Sequence, residues 1–335
     1  MKNKANIRTI SEITGYSQST ISNVLNMKKG VNADTAEKIF HVATEIGYHK
    51  SSPMNNIKVV MYKKSGLILM DTPFISALLE GVESEGHIHG LSTIIHNVKE
   101  KEDGFQSKLD QISRERNSGI ILLATELEWA DMKVFSNIKT PFVVVDAWFR
   151  EGFFDTVLMD NTDSLYVIVK YLVEMGHKKI GYIGSSVNIS NFFYRKNGFI
   201  NALRLFGLCV EDKYCVNLTP TSNGAYEDML RYLKSKPKMP SAYCVVNDVV
   251  SFGVMKAINE CGYHIPEDIS IVGFDNMPLS EISTPPLTTV NVPKKELGQI
   301  AVQRLMTQAM NKSAVPVKTQ LLTSLVFRKS VKKIR

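Results

Sequence analysis

Apolar positions follow two periods along the chain. In the first 48 residues they recur three or four apart, as on a helix face; from Ser65 onward, short apolar runs alternate with longer amphipathic stretches. Ile7, Ile10 and Ile13 keep helical spacing, and Gly15 stands where a C′ glycine closes a helix. Ser17 is a good N-cap for a second helix, Gln18 to Asn26, with Ile21 and Val24 on one face and Gln18, Ser19, Ser22 and Asn23 around the other. A third helix is expected from Ala33 to Ile46, capped by Asn32, with Ala36, Ile39, Val42 and Ala43 inward and Gly47 ending it. Two short helices joined by a tight glycine-containing turn, followed by a third, form helix-turn-helix architecture.

The later pattern predicts strands at Gly66–Met70, Ser92–Val98, Gly119–Ala124, Pro141–Asp146, Lys179–Gly184, Ala242–Asn247 and Ile269–Phe274. Between them, helices are predicted at Ile75–Glu85, Asp163–Met175, Asn197–Phe206, Ser251–Asn259 and Lys295–Met310. Repeated β-α-β-α order points to doubly wound parallel sheets, which bind ligands at the carboxyl ends of their strands. The stretch is long for one such sheet, so two similar lobes with a cleft between them are expected.

Composition narrows the class. The chain has 335 residues, 44% hydrophobic and 22% charged, which excludes disordered, collagen-like and coiled-coil chains. No run approaches the roughly 18 apolar residues of a membrane helix. The basic N-terminus lacks an apolar segment behind it, so a cytoplasmic protein without a secretory signal is expected. Cys209, Cys215, Cys244 and Cys261 form no C-x-x-C pair and read as reduced thiols. Residues 1–64 hold ten basic and four acidic side chains, so six of the seven formal positive charges sit in the first fifth. A basic helical head on a neutral body points to DNA. On the second helix Gln and Asn suit an adenine edge and Ser suits bases or phosphates, with Ser17, Lys28 and Lys29 near the sugar-phosphate rails.

Enzymatic chemistry finds little support. There is no phosphate-cradling glycine loop, no nucleophile elbow and no His/Cys cluster with metal spacing, so neither cofactor nor metal is expected. Polar residues that end strands point to binding instead: Asp146 closes one apolar run, Asn247 a second and Asp275 a third, with Arg195 available as a donor. A solute-binding protein of a transporter is the alternative that shares such a body, but it should lack the basic head.

The stretch Asn6-Ile-Arg-Thr-Ile-Ser-Glu-Ile-Thr-Gly-Tyr-Ser-Gln-Ser-Thr-Ile-Ser-Asn-Val-Leu-Asn26 resembles the DNA-binding signature of the lactose-repressor (LacI/GalR) family, roughly T-I-x-D-V-A-x-x-A-G-V-S-x-x-T-V-S-R-V-L-N. Val31 to Ile39 and Ile46-Gly-Tyr48 resemble its third helix. The segments Thr72 to Glu83, Met175 to Gly184, Asp268 to Asn276 and Pro285 to Val290 resemble its effector-domain motifs, in order and spacing. The resemblance implies a head (1–48), a hinge (49–64) and a two-lobed effector and dimerisation domain (65–335) similar to periplasmic sugar-binding proteins. It implies a homodimeric regulator, most often a repressor, on pseudo-palindromic operator DNA, controlled by a sugar-like effector. By position, Gln18, Ser19, Ser22 and Asn23 would read the groove, and Ser17, Thr20, Asn26 and Tyr48 would contact the backbone.

Asn23 departs from the family's commoner arginine, so its usual operator is not expected. The hinge is also irregular: His49-Lys-Ser-Ser-Pro-Met-Asn-Asn-Ile-Lys58 stands where the family has a hinge helix, and Ile57 falls where the family wedges a leucine into the minor groove. By the same carry-over, Phe74, Asp146, Arg195, Asn247 and Asp275 match effector contacts. The aromatic usually found before the Gly224–Leu233 helix is replaced by Leu218-Thr-Pro-Thr-Ser222, leaving Trp148 and Phe149 as its candidate substitutes.

Overall fold

A computed structural model describes residues 6–25, 31–46, 54–68, 73–114, 117–136, 138–311 and 313–334. At the N-terminus stand α1 (Ile7–Thr14), α2 (Gln18–Leu25) and α3 (Ala33–Glu45). Local chemistry sets their ends. Asn6 Oδ1 accepts from the Thr9 amide at 2.9 Å, Gly15 turns α1 off at φ 75°, Ser17 Oγ accepts from the Thr20 amide at 3.1 Å, and Asn32 Oδ1 from the Asp34 amide at 2.9 Å. Ile10, Ile21, Val24, Leu25, Ile39 and Ala43 form a small core of their own, while Ile13 remains exposed.

Among the described residues, the body holds two six-stranded sheets. The first runs β11 (Lys318–Leu321), β5 (Asp155–Met159), β4 (Phe142–Val145), β3 (Ser118–Leu123), β1 (Asn56–Lys63), β2 (Ser92–Lys99), all parallel. The second runs β12 (Ser324–Val326), β10 (Thr288–Asn291), β9 (Ser270–Asp275), β8 (Ala242–Val245), β6 (Ile180–Ser185), β7 (Cys215–Leu218), with only β12 antiparallel. Helices α4 (Pro73–Ile88), α5 (Phe105–Arg114) and α11 (Lys294–Met310) belong to the first lobe. Helices α6 (Asp163–Glu174), α7 (Ser190–Leu205), α8 (Ser222–Lys234), α9 (Asp248–Glu260) and α10 (Leu279–Ile282) belong to the second.

The chain crosses between lobes three times: after β5, after β10, and between β11 and β12. On its return, α11 packs against α4 so closely that a Cβ on Gly81 would lie 1.9 Å from the Lys295 carbonyl oxygen, and one on Gly298 2.2 Å from that of Leu78. Only glycine allows that approach.

Two expectations are corrected. Gly66–Met70 is not a strand where it is described: residues 64–68 form a loop whose amides at Lys64, Ser65, Gly66 and Ile68 all donate to the Glu126 carboxylate. The first strand lies earlier, so β1 occupies the second half of the expected hinge and the body begins by Met54, itself buried in the main core. Ile57 consequently is no minor-groove wedge. It is fully buried in β1, its Cδ1 close against Gly86 of α4, and exposing it would cost the roughly 1.5–3 kcal/mol of burying an isoleucine.

Candidate functional site

Both sheets turn their carboxyl ends toward a shared cleft, as doubly wound sheets do at a ligand site. Thr125 follows β3, Asp146 follows β4, Asn247 follows β8 and Asp275 ends β9. Two of these positions hold backbone that an L-residue rarely adopts, φ 62° at Asp146 and φ 110° at Asp275, and such strain concentrates at functional sites. Phe74, Asp146, Arg195, Asn247 and Asp275 come together around one cavity of about 70 Å³, with Asn191 and Thr125 beside them. Asn191 was not anticipated from sequence; the only signal was its place one turn before Arg195 on one helix face.

The polar groups form a continuous chain across the lobes. Asn191 of α7 donates to the Asp146 carboxylate at 2.8 Å and to the Asp146 carbonyl at 2.9 Å, tying the second lobe to the first. Thr125 Oγ1 donates to the other Asp146 oxygen. Asn161, on the crossing after β5, donates to Asn191 Oδ1 at 3.0 Å and accepts from Arg195 Nε at 2.8 Å. Arg195 also donates to the Val246 carbonyl at 2.7 Å, stands 3.6 Å from Asp275 Oδ1, and lies 3.6 Å over the Phe274 ring. Asn247 turns its side chain to its own helix, accepting from the Val250 amide at 3.0 Å as the α9 cap.

Burial dominates the electrostatics. It pushes the Asp146 carboxyl up to about 6, against the hydrogen bond from Thr125 and the Arg195 charge, which favour the ionised form. Asp275 is also raised by burial, opposed by Arg195 and Lys294. Behind the cavity, Asp248 accepts from the Met277 amide at 2.8 Å, Ser280 Oγ at 2.6 Å and Thr289 Oγ1 at 2.6 Å, yet burial, reinforced by the Asp275 charge, raises it to about 7. A carboxyl whose folded value is raised stabilises the fold fully below its unfolded value of about 3.9, and that contribution is lost as pH rises through the folded value. Asp248→Asn, with no proton to lose, is therefore expected to hold its stability better than the wild type between pH 5 and 8. The two urea-unfolding series should diverge by on the order of 2 kcal/mol, and parallel series would mean that Asp248 stays ionised throughout.

Trp148 does not reach this cavity. The left-handed turn at Asp146 redirects the chain, and the indole sits under Lys318 Nζ at 3.4 Å and beside the Tyr194 ring at 5.1 Å. On the head, Ser17, Gln18 and Ser19 are exposed along the start of α2, and Thr20, Ser22 and Asn23 are half-buried. Ser17 Oγ is also hydrogen-bonded with Ser19 Oγ at 2.7 Å and Thr20 Oγ1 at 2.8 Å, a hydroxyl cluster at the helix start. Asn26, Lys28, Lys29 and Tyr48 lie outside the described residues.

Residues 169–331 match the periplasmic binding protein-like domain family. Over 332 residues the chain is 30% identical to the HTH-type transcriptional repressor PurR of Pasteurella multocida, covering 98% of this chain and 99% of that protein. Among solved structures, the transcriptional regulator CelR in complex with cellobiose superposes with a TM-score of 0.74 at 20% identity, covering 97% of this chain and 99% of that one. The Lac repressor dimer bound to operator and the anti-inducer ONPF gives 0.71 at 23% identity, covering 98% and 100%. These two structures share the fold, head included.

Proposed function

We propose, for a chain that belongs to the LacI/GalR family of DNA-binding transcriptional regulators, a cytoplasmic homodimeric repressor that releases or grips its operator as a sugar-like effector fills the cleft. The observation that carries this reading is the bond from Asn191 to Asp146: the cavity around Arg195 is closed by side chains that a ligand would have to displace. A volume of about 70 Å³ is well below the roughly 300–1,000 Å³ of ordinary ligand sites, so the lobes must part to admit a ligand. A ligand shifts that equilibrium only by its differential affinity for the two states. β1 relays the change, since it begins directly after the linker and is buried in the first lobe.

Head residues Ser17, Gln18, Ser19, Thr20, Ser22, Asn23, Asn26, Lys28 and Tyr48 are assigned to DNA, and Phe74, Asp146, Arg195, Asn247 and Asp275 to the effector. The layout is a head over 1–48, a linker up to Pro53 and a body from Met54. Two carboxylates face one guanidinium already held on three sides, so the cavity favours an uncharged polyhydroxy ligand over an anionic one. Exposed Ile94 and Ile95 of β2, Ile88 at the end of α4, and Leu279 and Ile282 of α10 offer apolar surface for a second copy to cover. Binding, without turnover, is the reading for the cleft.

Selection of genomic fragments by the purified protein, with and without a sugar panel, tests the assignment: a palindromic motif whose recovery changes with one sugar is expected, and recovery no better than random fragments refutes it. With that operator, Asn23→Ala is expected to lower discrimination against random DNA by about tenfold, from a base contact of roughly 1–3 kcal/mol. Lys28→Ala should weaken both DNAs alike and flatten the salt slope, because a phosphate contact carries no sequence information. Equal losses on both DNAs for Asn23→Ala would remove it from base reading.

A further inference from the structure

A second cavity, of about 360 Å³, backs onto the first. Three chain segments each serve both. Thr125 lines the inner cavity and Glu126 the outer; Asp146 the inner and Trp148 the outer; Asn191 the inner and Ser190 the outer; Ile189 borders the two. The wall of the outer cavity sets four aromatic rings beside Glu128, Arg150, Glu151 and Asn188, with Trp129 40% exposed, Phe193 47% exposed, and Phe149 and Trp148 half-buried. The chain has two tryptophans, and both are here.

We propose that this cavity is an outer subsite for a second sugar ring, so that the effector is a disaccharide rather than a monosaccharide. The inference rests on the reading of the inner cavity as a saccharide site. Aromatic faces held open to solvent beside polar groups suit the apolar C–H face of a pyranose, whose hydroxyls point outward around its rim. Trp148 is covered by Lys318 and Tyr194, so stacking falls to Trp129 and Phe193. Ser190 Oγ is buried with no hydrogen-bond partner among the described residues, an unfavourable state that a ligand hydroxyl would relieve. Glu126 is not available for this, since its carboxylate holds four amides of the 64–68 loop. The subsite draws Trp129, Trp148 and Phe149 from the first lobe and Ile189, Ser190 and Phe193 from the second. A ring seated there touches both lobes and reports on their separation.

The test is a calorimetric titration of the full chain, paralleled by intrinsic tryptophan fluorescence, with matched pairs: methyl β-glucoside and cellobiose, methyl β-galactoside and lactose, methyl α-glucoside and maltose. In the pair that binds, the disaccharide is expected to bind about tenfold tighter than its methyl glycoside. Phe193→Ala, an exposed truncation that leaves the fold intact, is expected to bring the disaccharide down to the methyl glycoside's affinity, and Phe193→Tyr to restore it. Equal affinities within the binding pair, or an equal loss of both ligands in Phe193→Ala, overturns the outer subsite and leaves the inner assignment standing. Failure of every sugar to bind overturns the saccharide reading itself, and the subsite with it.

Discussion

Arg195→Ala is expected to lower the affinity for the effector by at least about 100-fold while leaving the unliganded head able to bind DNA. Arg195 is 3% exposed, and its guanidinium joins Asn161, the Val246 carbonyl and Asp275 while lying over Phe274. Truncation strands a buried carboxylate and a buried carbonyl at once. Removing one partner of a buried ion pair costs roughly 3–5 kcal/mol, and about 2.7 kcal/mol is already 100-fold. Asp275 would lose the nearest charge that favours its ionised form, and its carboxyl would rise further. Arg195→Lys is the informative partner: it keeps the charge but not the planar fork, so it should recover only a small part of the loss. Calorimetry on both variants with the sugar that binds the wild type decides the matter, and unchanged affinity in Arg195→Ala would take the effector out of this cavity.

The second large effect lies in the head. Ile21→Ala is expected to lower operator affinity by about 10- to 100-fold with no change in effector binding or in the melting of the body. Ile21 is fully buried at the centre of the three-helix core, where truncation to alanine costs roughly 2–5 kcal/mol. At about 0.05–0.15 kcal/mol per residue, a domain of this size has about 2–7 kcal/mol to lose. The core of the head is separate from the clusters that hold the body, so the loss stays local. Operator-binding anisotropy and a calorimetric scan together test this, and a body transition that fell with operator affinity would show the two units to be one.

The head was legible because its determinants are local. Asn6, Ser17 and Asn32 cap helices within three residues, and Gly15 ends one by its own dihedral. β1 escaped notice because Lys58 interrupts its apolar run, and only the tertiary fold explains a buried lysine: its Nζ donates to the Ile112 carbonyl at 3.0 Å. Strands β5, β7, β10, β11 and β12 are three to five residues long, too short for an alternation to register, and β11 pairs with β5 across most of the second lobe's sequence. At the site, Asp146, Asn247 and Asp275 stood out because each ends an apolar run with a polar group. Asn161 and Asn191 sit among other polar residues and owe their roles to Arg195 and Asp146, which the fold brings to them. Trp148 lies outside the inner cavity because the chain turns through a left-handed conformation at Asp146, and two residues of separation in sequence say nothing about that direction.

The three crossings between lobes set an order of events at the ribosome. The first lobe lacks a flanking helix and an edge strand until α11 and β11 have emerged, and the second lacks β12 until a few residues later. The third helix of the head ends at Glu45, so at about 5–20 residues per second the three helices can pack roughly 15–55 s before either lobe closes. During that interval each nascent chain carries a finished reading head with no cleft to govern it and no closed body to pair through. Restraint must then come from valency alone, since a single head on a half-site holds DNA far more weakly than two heads on a palindrome.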